Sequence, residues 1–263
     1  MNFALAGLGF ISDRHKSAIE SIGGKVVMTC DNDKSKGADY LDFDEMINSE
    51  KFKEVDIISI LTPNDLHFGM IKKVVKKVKY IICEKPLTIS SKDVEELEKY
   101  KNIFSVCQLR YHPLLEEIFI LENNIVDMDI SVHRDERYFK SWKGQKERSG
   151  GVLFNIGIHY FDLLIDLFGE PTEIRTDYLD DKKGIGIIKG DKYFCHWRVG
   201  VDAEKESQHR TFRINGKQYD FSNKDNLSFE NLHTFVYRDL IKGIGITPKD
   251  ALPAIKLIEK LNL

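Results

Sequence analysis

The sequence predicts an α/β protein of two domains: a doubly wound parallel sheet over residues 1–109, and an α/β domain with a mostly antiparallel open sheet over residues 110–263. In the first part, continuous apolar runs alternate with helical patterns of about a dozen residues, which is typical of a parallel sheet covered on both faces. In the second part, several strands follow one another with few helices between them, which favours antiparallel pairing with helices on one face.

Apolar runs with a turn signal at the end predict five strands in the first domain: residues 3–8, 25–31, 55–63, 79–86 and 103–109. Helical patterns between them place apolar residues on one face over 11–22, 64–78 and 90–100. In the second domain we expect a helix after Pro113, a strand over 125–137, a helix near 151–168 and two final helices. Asn215–Gly216 predicts a hairpin turn within residues 212–221.

The composition excludes several classes of protein. The net charge of −3 gives no general attraction to nucleic acid or to an anionic membrane. The sequence has no uninterrupted apolar run of about 18 residues, and the N-terminus lacks the pattern of a signal peptide. The four cysteines are widely spaced, which predicts a reducing, cytoplasmic location with neither disulfides nor a metal site.

Residues 6–12, AGLGFIS, follow the first strand and open the first helix. Gly7 permits a tight turn, and Gly9 lets the backbone approach a pyrophosphate at the helix N-terminus. Ser12 replaces the third glycine of the usual motif. Asp31 ends the second strand, where an acid can bind the ribose diol and repel a 2′-phosphate, so we expect a Rossmann domain that binds NAD. The alternative is a glycine turn and an acidic strand end without a ligand.

Four segments, GLGFISDRH, ILTPNDLH, ICEKPL and GGVLFNIGIHYFDLL, resemble in order and spacing the Gfo/Idh/MocA family of sugar and cyclitol oxidoreductases. Three others, QLRYHP, FKSWKG and FNIGIHYFD, are similar to the UDP-N-acetyl-2-amino-2-deoxyglucuronate 3-dehydrogenases. The resemblance implies NAD-dependent oxidation of the sugar C3 hydroxyl of UDP-N-acetylglucosaminuronic acid, UDP-GlcNAcA, on the way to surface polysaccharide such as lipopolysaccharide O-antigen.

The resemblance also assigns roles to residues. Lys85 matches the lysine that lies beside the nicotinamide and the reacting sugar, where a lowered pKa would suit a proton acceptor. The implied cofactor-binding set is Gly7, Gly9, Phe10, Ile11, Asp31, Leu61, Thr62, Asn64, His67, Glu84, Lys85 and Gln108. For Glu84 and Lys85 the alternative is an ordinary surface turn, and for His67 a place on the helix surface.

Asn155 and His159 are four residues apart and share one face of the predicted helix, with Asp162 one turn further. This face is suited to hold a sugar hydroxyl and take its proton. Asn155 stands where the family more often has aspartate, and since asparagine is no base, the proton falls to His159 or Lys85. The alternative for His159 is a satisfied core residue.

The segment 138–148 interleaves cations and aromatic rings, a combination suited to a diphosphate, a carboxylate and a flat base. The predicted substrate-binding residues are Arg110, Tyr138, Lys140, Trp142, Lys143, Asn155 and His159. The alternative is a charged, solvated loop.

We therefore expect an NAD-dependent dehydrogenase, a homodimer or homotetramer, with a UDP-sugar as substrate and 2-oxoglutarate as an oxidant that recycles the cofactor in place. One alternative is a dehydrogenase of a free sugar or inositol. Another is a non-catalytic sensor of dinucleotide and sugar, which the presence of both Lys85 and His159 disfavours.

Overall fold

The structure is a computed structural model that describes residues 1–221 and 229–263, with side chains for 1–221 and 232–263. The chain divides into two compact units. The first comprises Met1–Thr88, Lys92–Gln108 and Phe229–Ala251; the second comprises Ile89–Ser91, Leu109–Ser228 and Leu252–Leu263.

The first unit contains the predicted parallel sheet of five strands, in the order β2-β1-β3-β4-β5. Its strands are β1 (Asn2–Ala6), β2 (Lys25–Cys30), β3 (Ile57–Ile60), β4 (Tyr80–Cys83) and β5 (Ile103–Ser105). The connecting helices are α1 (Ser12–Ser21), α2 (Phe43–Asn48), α3 (His67–Val74) and α4 (Ser91–Leu97). All four residues of β3 are buried, as expected for a central strand covered on both faces.

A late segment of the chain returns to this first unit, whereas the sequence analysis placed the whole of 110–263 in the second domain. Its helix α8 (Phe229–Leu240) packs against α1, and the ring of Tyr237 lies 5.8 Å from that of Phe3 in β1. The sequence predicted a helix here, and its amphipathic pattern indicates that one face is buried. It did not show that this face would pack on the first sheet.

The second unit contains a six-stranded sheet in the order β11-β10-β6-β9-β8-β7, in which only the pair β6–β9 is parallel. Its strands are β6 (Asn124–Ser131), β7 (Pro171–Leu179), β8 (Lys183–Gly190), β9 (Tyr193–Gly200), β10 (His209–Ile214) and β11 (Lys217–Asp220). The predicted hairpin is confirmed: Asn215 and Gly216 join β10 to β11 with φ of 53° and 85°.

Three predicted elements of the second unit have different bounds. The strand over 125–137 ends at Ser131, because Asp135 caps a short helix α5 (Glu136–Lys140) with its side chain. The predicted loop 138–148 is largely helical and includes α6 (Lys146–Ser149). The helix near 151–168 begins as a π-helix (Leu153–Gly157) and continues as α7 (Ile158–Phe168). The last helix is α9 (Pro248–Leu261).

Among the described residues, one helical run has the length and apolarity of a membrane span, Lys146–Phe168. Polar residues interrupt this run, so it is not an uninterrupted apolar stretch of the sequence. Of the most apolar 18-residue window of this run, 67% is buried in the protein. This is the burial expected of a core helix.

Candidate active site

The turn after β1 has a shape that requires glycine. Gly7 has φ +99°, and a Cβ added there would lie 2.8 Å from the backbone of Leu61, so a larger residue would push β1 and β3 apart. Gly9 has nothing within 4 Å of an added Cβ, so the turn is open on that side. Ser12 fixes the turn, since its Oγ donates to the Gly9 carbonyl over 2.8 Å.

Asp31 holds the other side of this turn. Its Oδ2 accepts the N–H of Leu8 over 2.7 Å, and its Oδ1 accepts the N–H of Asp33 over 2.9 Å. The carboxylate therefore lies at the carboxyl end of β2, against the glycine turn that follows β1, where the parallel strands end at one edge of the sheet.

The remaining predicted cofactor residues of this edge follow β1 and β3. Phe10 is 82% exposed, whereas Ile11 is half-buried at the start of α1. After β3, Leu61 and Asn64 are buried and Thr62 is half-buried. Because neighbouring parallel strands end at the same edge, both segments face the same crevice of the sheet.

These residues fit a dinucleotide. The open backbone at Gly9 provides room for a pyrophosphate, and Asp31 provides an acceptor for a ribose diol. Gln108 follows β5, and its side-chain oxygen is buried without a hydrogen-bond partner among residues 1–221 and 229–263. Such an orphaned acceptor is suited to the amide N–H of a nicotinamide.

The turn that carries Lys85 is held from helix α3 by the side chain of His67. Lys85 is half-buried and precedes Pro86 through a cis peptide bond. His67 is fully buried in α3, and its Nδ1 and Nε2 lie 2.8 Å and 2.9 Å from the carbonyl oxygens of Pro86 and Thr62. The expectation that His67 contacts the cofactor stays a prediction, and the structure gives it a place behind the turn.

Glu84 lies inside the first unit, in contact with α1 and α8. His15 Nε2 is 2.9 Å from its Oε1, His233 Nε2 is 3.5 Å from the same oxygen, and the N–H of Lys85 donates to Oε2 over 3.2 Å. His15 and His233 are fully buried. The structure therefore places the carboxylate in a buried network, and the expectation that Glu84 lies near the cofactor ribose stays a prediction.

In the second unit, Asn155 is held by an aromatic hydroxyl. It lies in the π-helix, is 7% exposed, and its Nδ2 donates to Tyr138 Oη over 2.6 Å. His159 lies one turn further, half-buried in α7. Burial raises the pKa of Tyr138, so this hydroxyl remains protonated at neutral pH.

Arg134 is a basic residue of this group that the sequence analysis missed. Its guanidinium lies 5.6 Å from the ring centroid of Tyr138, and its Nη1 donates to the His133 carbonyl over 2.7 Å. Burial lowers the pKa of Arg134 without removing its charge. A cation, a phenol and an amide thus lie together. The signal was available in the run HRDER, which we interpreted as a strand.

Arg110 is engaged by two carboxylates of α7. Its Nε and Nη2 donate to Asp162 over 2.8 Å and 2.7 Å, and its Nη1 donates to Asp166 over 2.8 Å. From the sequence, we expected Arg110 to bind the substrate. A substrate anion would have to compete with both carboxylates, so we assign Arg110 to the scaffold of α7.

The other residues of the predicted basic loop have separate surroundings. Lys140 is exposed and its Nζ donates to Glu136 over 2.8 Å, while Lys143 Nζ lies 5.8 Å from the ring centroid of Trp142. Tyr138 and Lys143 line one cavity of about 410 Å³. Lys146, Asp180 and Asp181 line it too, so its lining carries charges of both signs and does not by itself favour a diphosphate.

Two family models match the chain: the NAD-binding Rossmann fold of an oxidoreductase family over residues 1–107, and the C-terminal alpha/beta domain of the same family over residues 123–194. Together they span more than half of its length. The chain belongs to the Gfo/Idh/MocA oxidoreductase family. Its first 107 residues are the NAD-binding domain of that family.

Solved structures similar to this oxidoreductase include the WlbA (WbpB) dehydrogenase from Thermus thermophilus in complex with NAD and UDP-GlcNAcA. The two share 27% sequence identity with a TM-score of 0.88, over 100% of this chain and 95% of that one. The same enzyme in complex with NAD and alpha-ketoglutarate matches with a TM-score of 0.86, over 99% of this chain and 94% of that one.

Curated relatives are more distant. The 2,7-anhydro-N-acetylneuraminate hydratase of Escherichia coli is 25% identical over 67% of this chain and 52% of its own length. The inositol 2-dehydrogenase of Salmonella paratyphi B is 23% identical over 63% of this chain and 54% of its own length. The chain thus spans about half the length of these relatives.

Proposed function

We propose that this protein is an NAD-dependent dehydrogenase that oxidises the C3 hydroxyl of UDP-GlcNAcA to the 3-keto sugar. The observation that carries the proposal is the group formed by Asn155, Tyr138 and Arg134. An oriented amide suits a sugar hydroxyl, and a cation beside a phenol suits an acidic sugar or its diphosphate. Similarity along the whole chain to a dehydrogenase solved with NAD and UDP-GlcNAcA supports the choice of substrate.

Asn155 is a positioned donor and acceptor in this proposal. Its Nδ2 donates to Tyr138, and as an amide it also carries in Oδ1 an acceptor of the kind that suits a sugar hydroxyl. The amide has no proton to exchange at working pH, so it orients the hydroxyl and leaves the proton to another group.

The C3 carbon loses a hydride and its hydroxyl loses a proton, which leaves a ketone. When bound, oxidised NAD supplies the hydride-accepting chemistry. We propose Lys85 and His159 as the candidate groups that handle the proton. Lys85 is half-buried and projects from a turn whose backbone is fixed at the Lys85 N–H and the Pro86 carbonyl.

Recycling of the cofactor by 2-oxoglutarate is part of the proposal. Its support is the similar enzyme solved with NAD and alpha-ketoglutarate. A role in surface-polysaccharide synthesis, a cytoplasmic location and a homodimeric or homotetrameric state stay predictions.

The test is incubation of the purified protein with UDP-GlcNAcA, NAD⁺ and 2-oxoglutarate, read by mass spectrometry. We expect the sugar to lose two hydrogens while 2-hydroxyglutarate appears. UDP-N-acetylglucosamine serves as the matched control because it differs only at C6, where a hydroxymethyl group replaces the carboxylate. Asn155→Asp and Lys85→Arg should each reduce turnover at least about tenfold, since they change the hydroxyl ligand and the base. No oxidation of UDP-GlcNAcA by protein that binds NAD would contradict the proposal.

A dehydrogenase of a free cyclitol is the second candidate, favoured by the inositol 2-dehydrogenase among the relatives. The two candidates differ at Arg134, because a neutral cyclitol has no anion for a guanidinium to bind. In that case Arg134→Gln would leave the KM for inositol unchanged. If UDP-GlcNAcA is the substrate, the same change should raise its KM about tenfold or more.

A further inference from the structure

A chain of buried hydrogen bonds crosses the first unit and ends at Glu84. We call it the Glu84 network, and its members are Ser59, Tyr237, His15, Glu84 and His233. Ser59 Oγ is 2.7 Å from Tyr237 Oη, which is 2.7 Å from His15 Nδ1. All five residues are buried, and two of them come from α8, far along the chain.

The directions of these hydrogen bonds follow from Glu84. An ionised carboxylate only accepts, so the contact at His15 Nε2 must carry the imidazole proton. A neutral His15 then accepts at Nδ1 from the Tyr237 hydroxyl, which leaves the Tyr237 oxygen to accept from Ser59. Each of these hydrogen bonds then has one donor and one acceptor when Glu84 is charged.

The electrostatics agree with this assignment. Burial raises the pKa of Glu84, but the N–H groups of His15 and His233 outweigh burial, and the net pKa lies well below that of an ordinary glutamate. Burial lowers the pKa of His15 and raises that of Tyr237, which keeps the imidazole neutral and the phenol protonated.

We propose that the Glu84 network is a positioning device for Lys85: it fixes the turn from which Lys85 projects and keeps an ionised carboxylate next to it in the chain. The fixing contact is the Lys85 N–H, which donates to the Glu84 oxygen that neither imidazole occupies. The proposal rests on the proposed function only for the role of Lys85 as proton acceptor.

Three other titratable groups interact with Glu84 or with its partner His15. His67 of α3 contacts the Pro86 carbonyl of the Lys85 turn, and burial lowers its pKa. Cys83 of β4 stays a thiol because burial raises its pKa. Arg14 of α1 acts on His15 and opposes its protonation. Since none of these three side chains is an anion, Glu84 is the negative charge among them.

The same three side chains have the composition of a divalent-metal site, since ligand atoms of His15, Glu84 and His233 lie within 4.8 Å of one another. Direct contact of His15 Nε2 with the carboxylate favours a proton between them. The test below therefore includes a measurement that distinguishes a bound metal from this hydrogen-bonded network.

The test measures the pKa of Lys85 without any substrate, so its failure and that of the proposed function are distinguishable. Lysines of the whole protein are methylated with ¹³C, the Lys85 signal is assigned by its absence in Lys85→Arg, and its shift is followed with pH. We expect Glu84→Gln to lower the pKa of Lys85 by about one unit or more, because a nearby negative charge stabilises the ammonium. His233→Leu should lower it by less, and His233→Gln, which keeps an N–H donor, should restore the wild-type value.

Thr234→Val, on the same helix but outside the network, is the matched control and should leave the pKa of Lys85 unchanged. An unchanged pKa in both Glu84→Gln and His233→Leu would overturn the proposal. If these variants do not fold, ¹⁵N spectra of the wild-type imidazoles decide. We expect His15 to be a neutral Nε2–H tautomer at about pH 6, whereas a titration near the ordinary value of about 6.5 would overturn the proposal. One equivalent of zinc in the purified protein, lost in His233→Leu, would also overturn it.

Discussion

Replacing Arg110 by methionine should destabilise the second unit strongly. The change keeps an unbranched side chain but removes a guanidinium that binds two carboxylates. The Asp162 side chain is 3% exposed and that of Arg110 is 14% exposed, so the variant leaves a buried carboxylate without its cation.

The magnitude follows from this burial. Removing one partner of a buried ion pair costs about 3–5 kcal/mol, because the remaining charge is desolvated and unpaired. Asp166 is 36% exposed and adds little, since water screens such a contact. For a unit of this size we therefore expect the Tm to fall by roughly 6–20 °C.

Urea unfolding followed by circular dichroism measures the loss. The double variant Arg110→Met/Asp162→Leu should recover most of it, because an apolar pair replaces the unpaired charge. Lys140→Met is the matched control, since its partner Glu136 is exposed, and it should leave the unfolding free energy unchanged. If Arg110→Met lowers the unfolding free energy by less than about 1 kcal/mol but raises the KM for the UDP-sugar tenfold, Arg110 binds substrate and our assignment is wrong.

Three further predictions concern the two units separately. Gly7→Ala should cost about 2 kcal/mol or more and abolish NAD binding because of its φ and its close backbone neighbour, whereas Gly9→Ala should weaken NAD binding and leave the unfolding free energy unchanged. Calorimetry and urea unfolding check both, and equal losses of stability would contradict them. Burial lowers the pKa of His15 and His67 below that of the unfolded chain, so the unfolded state binds more protons. Stability should be full above about pH 6.5 and fall on acidification below it, and a Tm that stays constant down to about pH 5 would refute this. Tyr138→Phe should lower kcat/KM for the UDP-sugar about tenfold while the affinity for NAD stays constant, and a parallel loss of NAD affinity would argue against its place at the sugar.

The parallel sheet was predictable because its strands are continuous apolar runs, and the hairpin because Asn215–Gly216 has one common geometry. The packing of α8 on the first unit was not predictable from the sequence. An amphipathic helix shows that one face is buried, but its own sequence does not specify the surface that covers it. His233 and Tyr237 are four residues apart on that helix, which is the signal that they share a face.

The candidate site was predictable where a motif specifies backbone shape, as at Gly7. It was not predictable where a partner lies far along the chain. In the sequence, Arg110 is a cation near an aromatic segment. Only the fold brings Asp162, which follows 52 residues later, into contact with its guanidinium. Asn155 was found from its spacing to His159, but its partner Tyr138 required the turn of the chain through α5 and α6.

The central claim is a hydride transfer from C3 of UDP-GlcNAcA, and a deuterium label tests it most directly. The protein is incubated with NAD⁺ and UDP-GlcNAcA deuterated at C3, and the nicotinamide is analysed by mass spectrometry and NMR. We predict one deuterium at C4 of the reduced nicotinamide and a 3-keto sugar without the label. Oxidised nicotinamide alone, with all deuterium retained on intact sugar, would contradict the account.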